Sequence, residues 1–298
     1  TDKSQYMIGA YYQSTDTMNF TNLARWVIPV AITRPLNIDN KTLSVFATMT
    51  FFVSEQLHVT AGLRRTQVDK DYMRPPGTGT NGTHAFDDFN LDFAHEADAL
   101  ASLVPDTYGE NATLPSLMVQ YFADENSMFY ASYSDGFKSG GYEALGVYKA
   151  NRGVYGSEAV DAYEFGYKTS NDRMKMSANY FHSEYDGNQL SQYVYPDGGG
   201  VPYTTTSNIP STNKGFELEL SYLLTDSIIA DLSFTNLDAT YDSYEGGTCA
   251  SGVSPPAGAV GCDYSGRTLL HAPENTGLFT LSSEDEMSNG MMMNSSIS

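Results

Sequence analysis

The chain has 298 residues with 36 acidic against 16 basic side chains, giving a formal net charge of −20 and a pI near 4.4. A phosphate backbone is bound by neutralising it with Lys and Arg, so nucleic acid is excluded as a partner. The 22 Tyr and 15 Phe are too much aromatic surface for a solvated coil, and no stretch approaches the ~18–20 unbroken apolar residues of a membrane helix.

A helical membrane span is therefore excluded, while a membrane barrel is left open. No basic n-region and no apolar h-region opens the chain, so any signal segment is expected to have been removed or to lie outside these residues.

In chain order, the dominant periodicity is two. Leu43, Val45, Ala47, Met49, Phe51 and Val53 fall on one face and Ser44, Thr48 and Thr50 on the other. Leu57, Val59, Ala61 and Leu63 alternate with His58, Thr60, Gly62 and Arg64, and Tyr163, Phe165 and Tyr167 with Glu164, Gly166 and Lys168. Phe216, Leu218, Leu220 and Tyr222 oppose Glu217, Glu219 and Ser221, and Ile228, Ala230, Leu232 and Phe234 follow the same rule. A helix would mix the two sets. About eleven strands are expected, near 6–13, 42–53, 56–67, 114–123, 127–135, 162–170, 173–194, 204–225, 228–242, 269–283 and 290–298. Several exceed the ~9–11 residues that cross a bilayer and are expected to project beyond it.

The connections alternate in length. Residues 54–56, 124–127, 171–173 and 226–227 read as tight polar turns, and residues 14–40, 68–113, 136–161 and 243–268 as long loops. An up-and-down antiparallel membrane barrel has this rhythm, and its aromatic girdles would use the tyrosines. A soluble β-sandwich is the alternative; it shares the alternation but needs neither the strict rhythm nor strands of about 20 residues.

Residues 121–142, YFADENSMFYASYSDGFKSGGY, resemble a mid-barrel run of TonB-dependent outer-membrane receptors. EAVDAYEFGYKT (158–169), RMKMSANYFHSEYDGNQ (173–189), NKGFELEL (213–220) and GRTLLHAPEN (266–275) are similar to later strands of that family, in the family's order. The resemblance implies an all-β transmembrane barrel of about 22 strands in the complete receptor. Residues 1–298 are then expected to be about half of one barrel, with the plug domain and C-terminal strands not among them. It also implies a receptor for TonB-energised uptake of a scarce nutrient, with a motif style nearest to ferric siderophore or other iron-chelate receptors. A passive porin and an adhesin-like surface-binding barrel are the alternatives. Expected partners are the TonB complex through the plug, a small iron-chelate ligand, and the lipid and lipopolysaccharide of a Gram-negative outer membrane. No catalytic residue, resident metal or cofactor is implied.

Within DGFKSGG, Gly136, Gly140 and Gly141 are expected to relieve backbone strain where a strand enters a loop; no P-loop Lys-Ser/Thr pair follows, so a phosphate cradle is a poor reading. Aromatic and polar residues near the loops, Phe137, Lys138, Tyr142, Tyr193 and Tyr195, are candidate ligand-binding positions, each with packing as its plainer role. Cys249 and Cys262, with twelve residues between them in a Gly/Pro-rich loop, read as a stapling disulfide worth ~3 kcal/mol in the chain-entropy model, implying an oxidising compartment. A metal there would need more ligands than Asp263. Glu217 and Glu219 lie about 7 Å apart along one strand face, a spacing compatible with paired-carboxylate chemistry, but lumen-facing ionic residues are expected in a barrel anyway. The acidic run from His84 to Asp98 matches neither the EF-hand nor the HExxH spacing and reads as a solvated loop, with a short surface helix over 95–103.

Overall fold

A computed structural model describes residues 3–25, 28–73, 78–79, 107–143, 154–194, 203–259, 261–286 and 292–298. Its strands are β1 (Ser4–Arg25), β2 (Ile28–Phe52), β3 (Leu57–Met73), β4 (Thr78–Gly79), β5 (Thr107–Asp124), β6 (Ser127–Lys138) and β7 (Gly141–Tyr142). There follow β8 (Val154–Tyr155), β9 (Glu158–Ser170), β10 (Met174–Val194), β11 (Tyr203–Thr225), β12 (Ile228–Tyr241), β13 (Asn275–Glu286) and β14 (Met292–Ile297). Eleven of them form one antiparallel path, β1-β2-β3-β5-β6-β9-β10-β11-β12-β13-β14, with β4 beside β2 and β7 paired to β8. Each of the eleven expected strands has its counterpart. Among the described residues β1 and β14 do not pair, so the sheet is an open barrel wall.

The expected loop bounds are corrected. Within the expected loop 14–40, residues 14–25 and 28–40 are strand: β1 and β2 stay in register from Ser4↔Phe51 to Ala24↔Ala31. Runs such as Thr15-Asp16-Thr17 break the apolar alternation that marks a half-buried strand, yet strands of a wall that project past the bilayer need no apolar face. For the same reason β3 continues to Met73, and β5 begins already at Thr107. The acidic run 84–98 and the helix expected over 95–103 lie outside the described residues.

The tight turns share one device. Ser54 Oγ accepts from Gln56 N (3.2 Å) and Leu57 N (3.0 Å), Asp124 Oδ1 from Asn126 N (2.8 Å), Asn171 Oδ1 from Arg173 N and Met174 N, and Thr225 Oγ1 from Ser227 N (3.4 Å). In each case a short side chain satisfies amides that the ladder leaves unpaired, which is why these residue types occupy the corners.

Cross-strand register sorts the side chains onto two faces. One row runs Leu57, Tyr121, Phe129, Tyr167, Ala178, Leu218, Phe234 across β3, β5, β6, β9, β10, β11 and β12. Phe129 and Tyr167 stack at 4.7 Å within it. On the same outer face Ile8, Tyr6, Val45, Leu63, Phe165 and Phe279 are exposed, Ile8 to 77%. A contiguous exposed apolar face of this extent fits the outward side of a membrane barrel, where each such side chain would gain ~1.5–3 kcal/mol on leaving water.

The inner face is polar and interrupted by glycines that lie under rings. Gly9 faces Phe46, Gly166 faces Tyr130 and Gly215 faces Phe181, each pair in direct register, and a Cβ on any of the three would strike the ring. A wall curving inward crowds its concave face, so a large side chain opposite hydrogen fits where two large ones would not. Glu217 and Glu219 are on this inner face, as expected. Asn179 Nδ2 donates to Glu217 Oε2 at 3.2 Å.

Candidate functional site

The ladder between β5 and β6 stops at Ser116↔Ser134, although β5 runs on to Thr107 and β6 to Lys138. Beyond that point β6 stays with β9, as far as Lys138↔Glu158, and parts from β5. The chain then turns back to bridge the gap. Lys70 Nζ donates to the Gly140 carbonyl, and Gly140 N donates to Glu110 Oε2 at 3.0 Å. Tyr142 is buried against Ile38, Tyr72, Tyr108 and Val154, with its ring 4.7 Å from that of Tyr72. The DGFKSGGY motif is thus a crossbar closing the far end of the gap.

The crossbar is held on its other side by β10 and β11. Asn208 Oδ1 accepts from Gly156 N at 2.8 Å, and its Nδ2 donates to the carbonyls of Gly156, Ser157 and Gly187. Gln189 Nε2 donates to Ser139 O and Gly156 O, while Gln189 N donates to Glu158 Oε2 at 2.8 Å. Gly187 has φ +73° at the β10 bulge, a conformation that favours glycine. The Glu143 carboxylate accepts from Thr206 N, Thr206 Oγ1 and Thr205 Oγ1. Burial pushes its pKa above the usual carboxylate range, opposed by these donors. The Tyr155 phenol is likewise raised by burial and then by Glu143.

The motif glycines act differently from expectation. None of Gly136, Gly140 and Gly141 has a positive φ, so none relieves backbone strain. What they supply is space: a Cβ at Gly136 would meet Val160, one at Gly140 would meet Tyr108 and Tyr155, and one at Gly141 would meet the Tyr155 ring.

Between the Ser116↔Ser134 pair and the crossbar lies a hollow of about 590 Å³, lined by Tyr11, Gln13, Arg64, Leu114, Asp135, Gly136, Phe137 and Ser139 among others. Arg64 donates from Nη2 to Ser44 Oγ (2.9 Å) and from Nε to Thr66 Oγ1 (3.1 Å), and the two hydroxyls bond each other at 2.9 Å. Ser44 and Thr66 are buried, so the guanidinium is held on two buried hydroxyls. Among the described residues no carboxylate is within ion-pair distance of it.

Of the candidate binding residues, Phe137 lines this hollow. Lys138 is exposed and reaches Glu158 at 3.9 Å. Tyr142 is 5% exposed and packs the crossbar. Tyr193 pairs with Thr204 in the β10–β11 ladder, whereas its side chain and all of Tyr195 lie outside the described residues. Arg64 was not singled out in the sequence. Its only signal there is a cation at an inward position of a strand, next to the outward Arg65.

A second structured patch carries the cysteines. Cys249 and Cys262 form the disulfide, with Cα atoms 5.1 Å apart. Gly247 and Cys262 exchange two backbone hydrogen bonds, Tyr264 OH donates to Thr248 O, and Tyr244 OH donates to Gln192 Oε1 at 2.7 Å. Tyr241, Tyr244 and Ile209 are buried together against Leu190, Tyr264 and Leu269. Burial, and then the neighbouring Tyr241 and Tyr264, raise the Tyr244 phenol pKa.

Residues 2–283 match the family described as TonB dependent receptor-like, beta-barrel. Among solved structures, the ferric yersiniabactin uptake receptor FyuA from Yersinia pestis is 13% identical with a TM-score of 0.68, over 97% of this chain and 38% of that one. The siderophore receptor PiuA from Acinetobacter baumannii is 15% identical with a TM-score of 0.62, over 98% and 42%. The hemophore receptor HasR from Serratia marcescens, solved with its hemophore HasA and heme, is 14% identical with a TM-score of 0.54, over 95% and 50%. The chain spans about two fifths to one half of the length of these receptors.

Proposed function

The chain belongs to the TonB-dependent receptor-like β-barrel family, and from that premise we propose that the whole protein is an outer-membrane receptor importing a ferric siderophore or another iron chelate. The family occurs in the Gram-negative outer membrane and is a receptor and transporter class. One observation carries the reading to this chain: the register builds a wall with a continuous apolar outer face and a polar, hydrogen-bonded inner one. Such a wall supports the reading as an outer-membrane barrel. The iron cargoes named for FyuA and PiuA, and the heme of HasR, support an iron-bearing ligand. Energy would come from the TonB complex through a plug, and lipid and lipopolysaccharide would surround the wall. We read the 298 residues as part of such a barrel, in keeping with the share of each receptor that they span.

The test is iron uptake by the native organism. Deleting the gene is expected to abolish TonB-dependent import of at least one labelled ferric chelate under iron limitation, and the full-length gene to restore it. Unchanged uptake of every nutrient tried, or restored uptake in cells without TonB, would overturn the proposal.

A further inference from the structure

We infer that the hollow above the Ser116↔Ser134 pair is a lateral window through the barrel wall, held open by Pro115, that admits an alkyl chain of an outer-leaflet lipid; this rests on the outer-membrane reading proposed above. The lining belongs to a passage, not to a pocket on one face. Leu114, Pro115 and Ser116 of β5 and Asp135, Gly136 and Phe137 of β6 all border it. Successive residues of a strand point to opposite faces, so each strand contributes both of its faces and its edge. By register, Arg64, Leu114 and Gly136 meet the hollow from the lumen side, and Pro115, Asp135 and Phe137 from the outside. These two sets share one space only where no ladder stands between them.

Pro115 supplies the cause. Phe122 N donates to Gln56 O on the β3 side of β5, and alternation then turns the backbone of Tyr121, Val119, Leu117 and Pro115 toward β6. Asn126 O accepts from Ser170 N on the β9 side of β6, which in the same way turns Tyr133, Asp135 and Phe137 toward β5. Extending the ladder past Ser116↔Ser134 would need an N–H at residue 115, proline has none, and there the ladder ends.

The occupant follows from where the window opens. On the outer face Leu63, Tyr133 and Tyr163 are followed along their strands by Arg65, Asp135 and Asp161, so the apolar band ends at this height. The outer mouth is therefore continuous with the lipid-facing wall, at the level where a lipid's ester groups meet its chains. Pro115 and Phe137 frame that mouth, and Leu114 and Val68 carry the apolar lining inward. The amides of Thr113 and Phe137 have no strand partner across the gap among the described residues, and ester oxygens at the mouth can accept from them. The Asp135 carboxylate beside them is engaged by the Tyr133 hydroxyl.

The test uses the full-length receptor in phosphatidylcholine vesicles, with and without bromine near the ester end of the acyl chains, and one fluorophore on an introduced cysteine. Leu114→Cys places it in the window, Ser183→Cys on the lumen face of β10 where ladders run on both sides, and Leu63→Cys on the outer face. Brominated lipid is expected to quench the label at position 63 strongly, and the label at position 114 at least about threefold more than that at position 183. Pro115→Thr, which restores the N–H, is expected to bring quenching at position 114 down to that at position 183 and to slow amide exchange at Phe137 about tenfold; Pro115→Ala does the same if the threonine variant fails to fold. Quenching at position 114 no greater than at position 183 would overturn the inference, and so would quenching there that neither proline variant lowers. If position 63 is quenched and position 114 is not, the inference falls and the proposed function stands. If position 63 escapes quenching too, the wall does not face lipid, and the outer-membrane reading falls with the inference.

Discussion

The ring of Tyr130 lies across Gly166, its direct partner in the β6–β9 ladder, and its hydroxyl donates to Glu164 on the neighbouring strand. Lys168 Nζ stands 5.1 Å from the centre of the same ring. Gly166→Ala would place a methyl where the ring sits. Overpacking of this kind costs ~1–3 kcal/mol. The expected result is a lower thermal midpoint of the full-length barrel in detergent, followed by heat-modified gel mobility. An unchanged midpoint would mean that the ring is free to move.

Asn208 bonds Gly156, Ser157 and Gly187 and ties the crossbar to β11. Asn208→Ala strands several of these groups, at ~1–3 kcal/mol for each one left buried and unsatisfied. Hydrogen exchange at Gly156 is expected to accelerate at least tenfold, while amides of the β10–β11 ladder near Leu218 keep their rates. Uniform acceleration along the ladder would instead assign Asn208 to the wall itself.

The Cys249–Cys262 bridge closes a segment that is otherwise held by a few hydrogen bonds. Loss of the bridge through Cys249→Ser with Cys262→Ser removes ~3 kcal/mol of loop constraint in the chain-entropy model. Because the loop is outside the wall ladders, the expected effect is faster proteolysis within 243–268 with little change in barrel melting. Protein purified without reductant is expected to lack free thiols by mass spectrometry, and finding two would refute a bridge formed in the cell envelope.

Glu143 gives a pH dependence with a definite sign. Its folded pKa is raised by burial, so between the unfolded and folded values the folded state holds the extra proton. Its contribution to stability is therefore most favourable below the unfolded carboxylate pKa and declines as pH rises through the folded one. Acidifying from pH 7 toward the carboxylate range is expected to slow amide exchange at Thr206 relative to a wall amide. Glu143→Gln is expected to flatten that dependence; an opposite slope in the wild type would show that the Thr205 and Thr206 donors outweigh burial.

Much of the wall was legible because alternation and register are one fact seen twice: Phe216, Leu218 and Leu220 share a face in the sequence, and pair with Tyr180, Ala178 and Met176 in space. The corners were legible too, since Ser54, Asp124 and Asn171 are residues that cap their own turns. The upper parts of β1 and β2 were not, because runs such as Thr15-Asp16-Thr17 offer no apolar period to read. Nor was the site. Arg64 and Asp135 are 71 positions apart, and only the parting of β5 from β6 sets both at the rim of one hollow, from opposite faces of the wall. The glycines of the motif were noticed for the right reason, their missing side chains, but assigned the wrong use.

Every long ladder described above joins strands that follow one another along the path, and at one end they meet in corners of a few residues. Such a wall can be assembled like a zip, each hairpin setting the register of the next from information carried within a few dozen residues. It follows that the opposite ends are free to diverge. A segment inserted at a long connection shifts no ladder, so the long connections can change in length and sequence while the wall keeps its register.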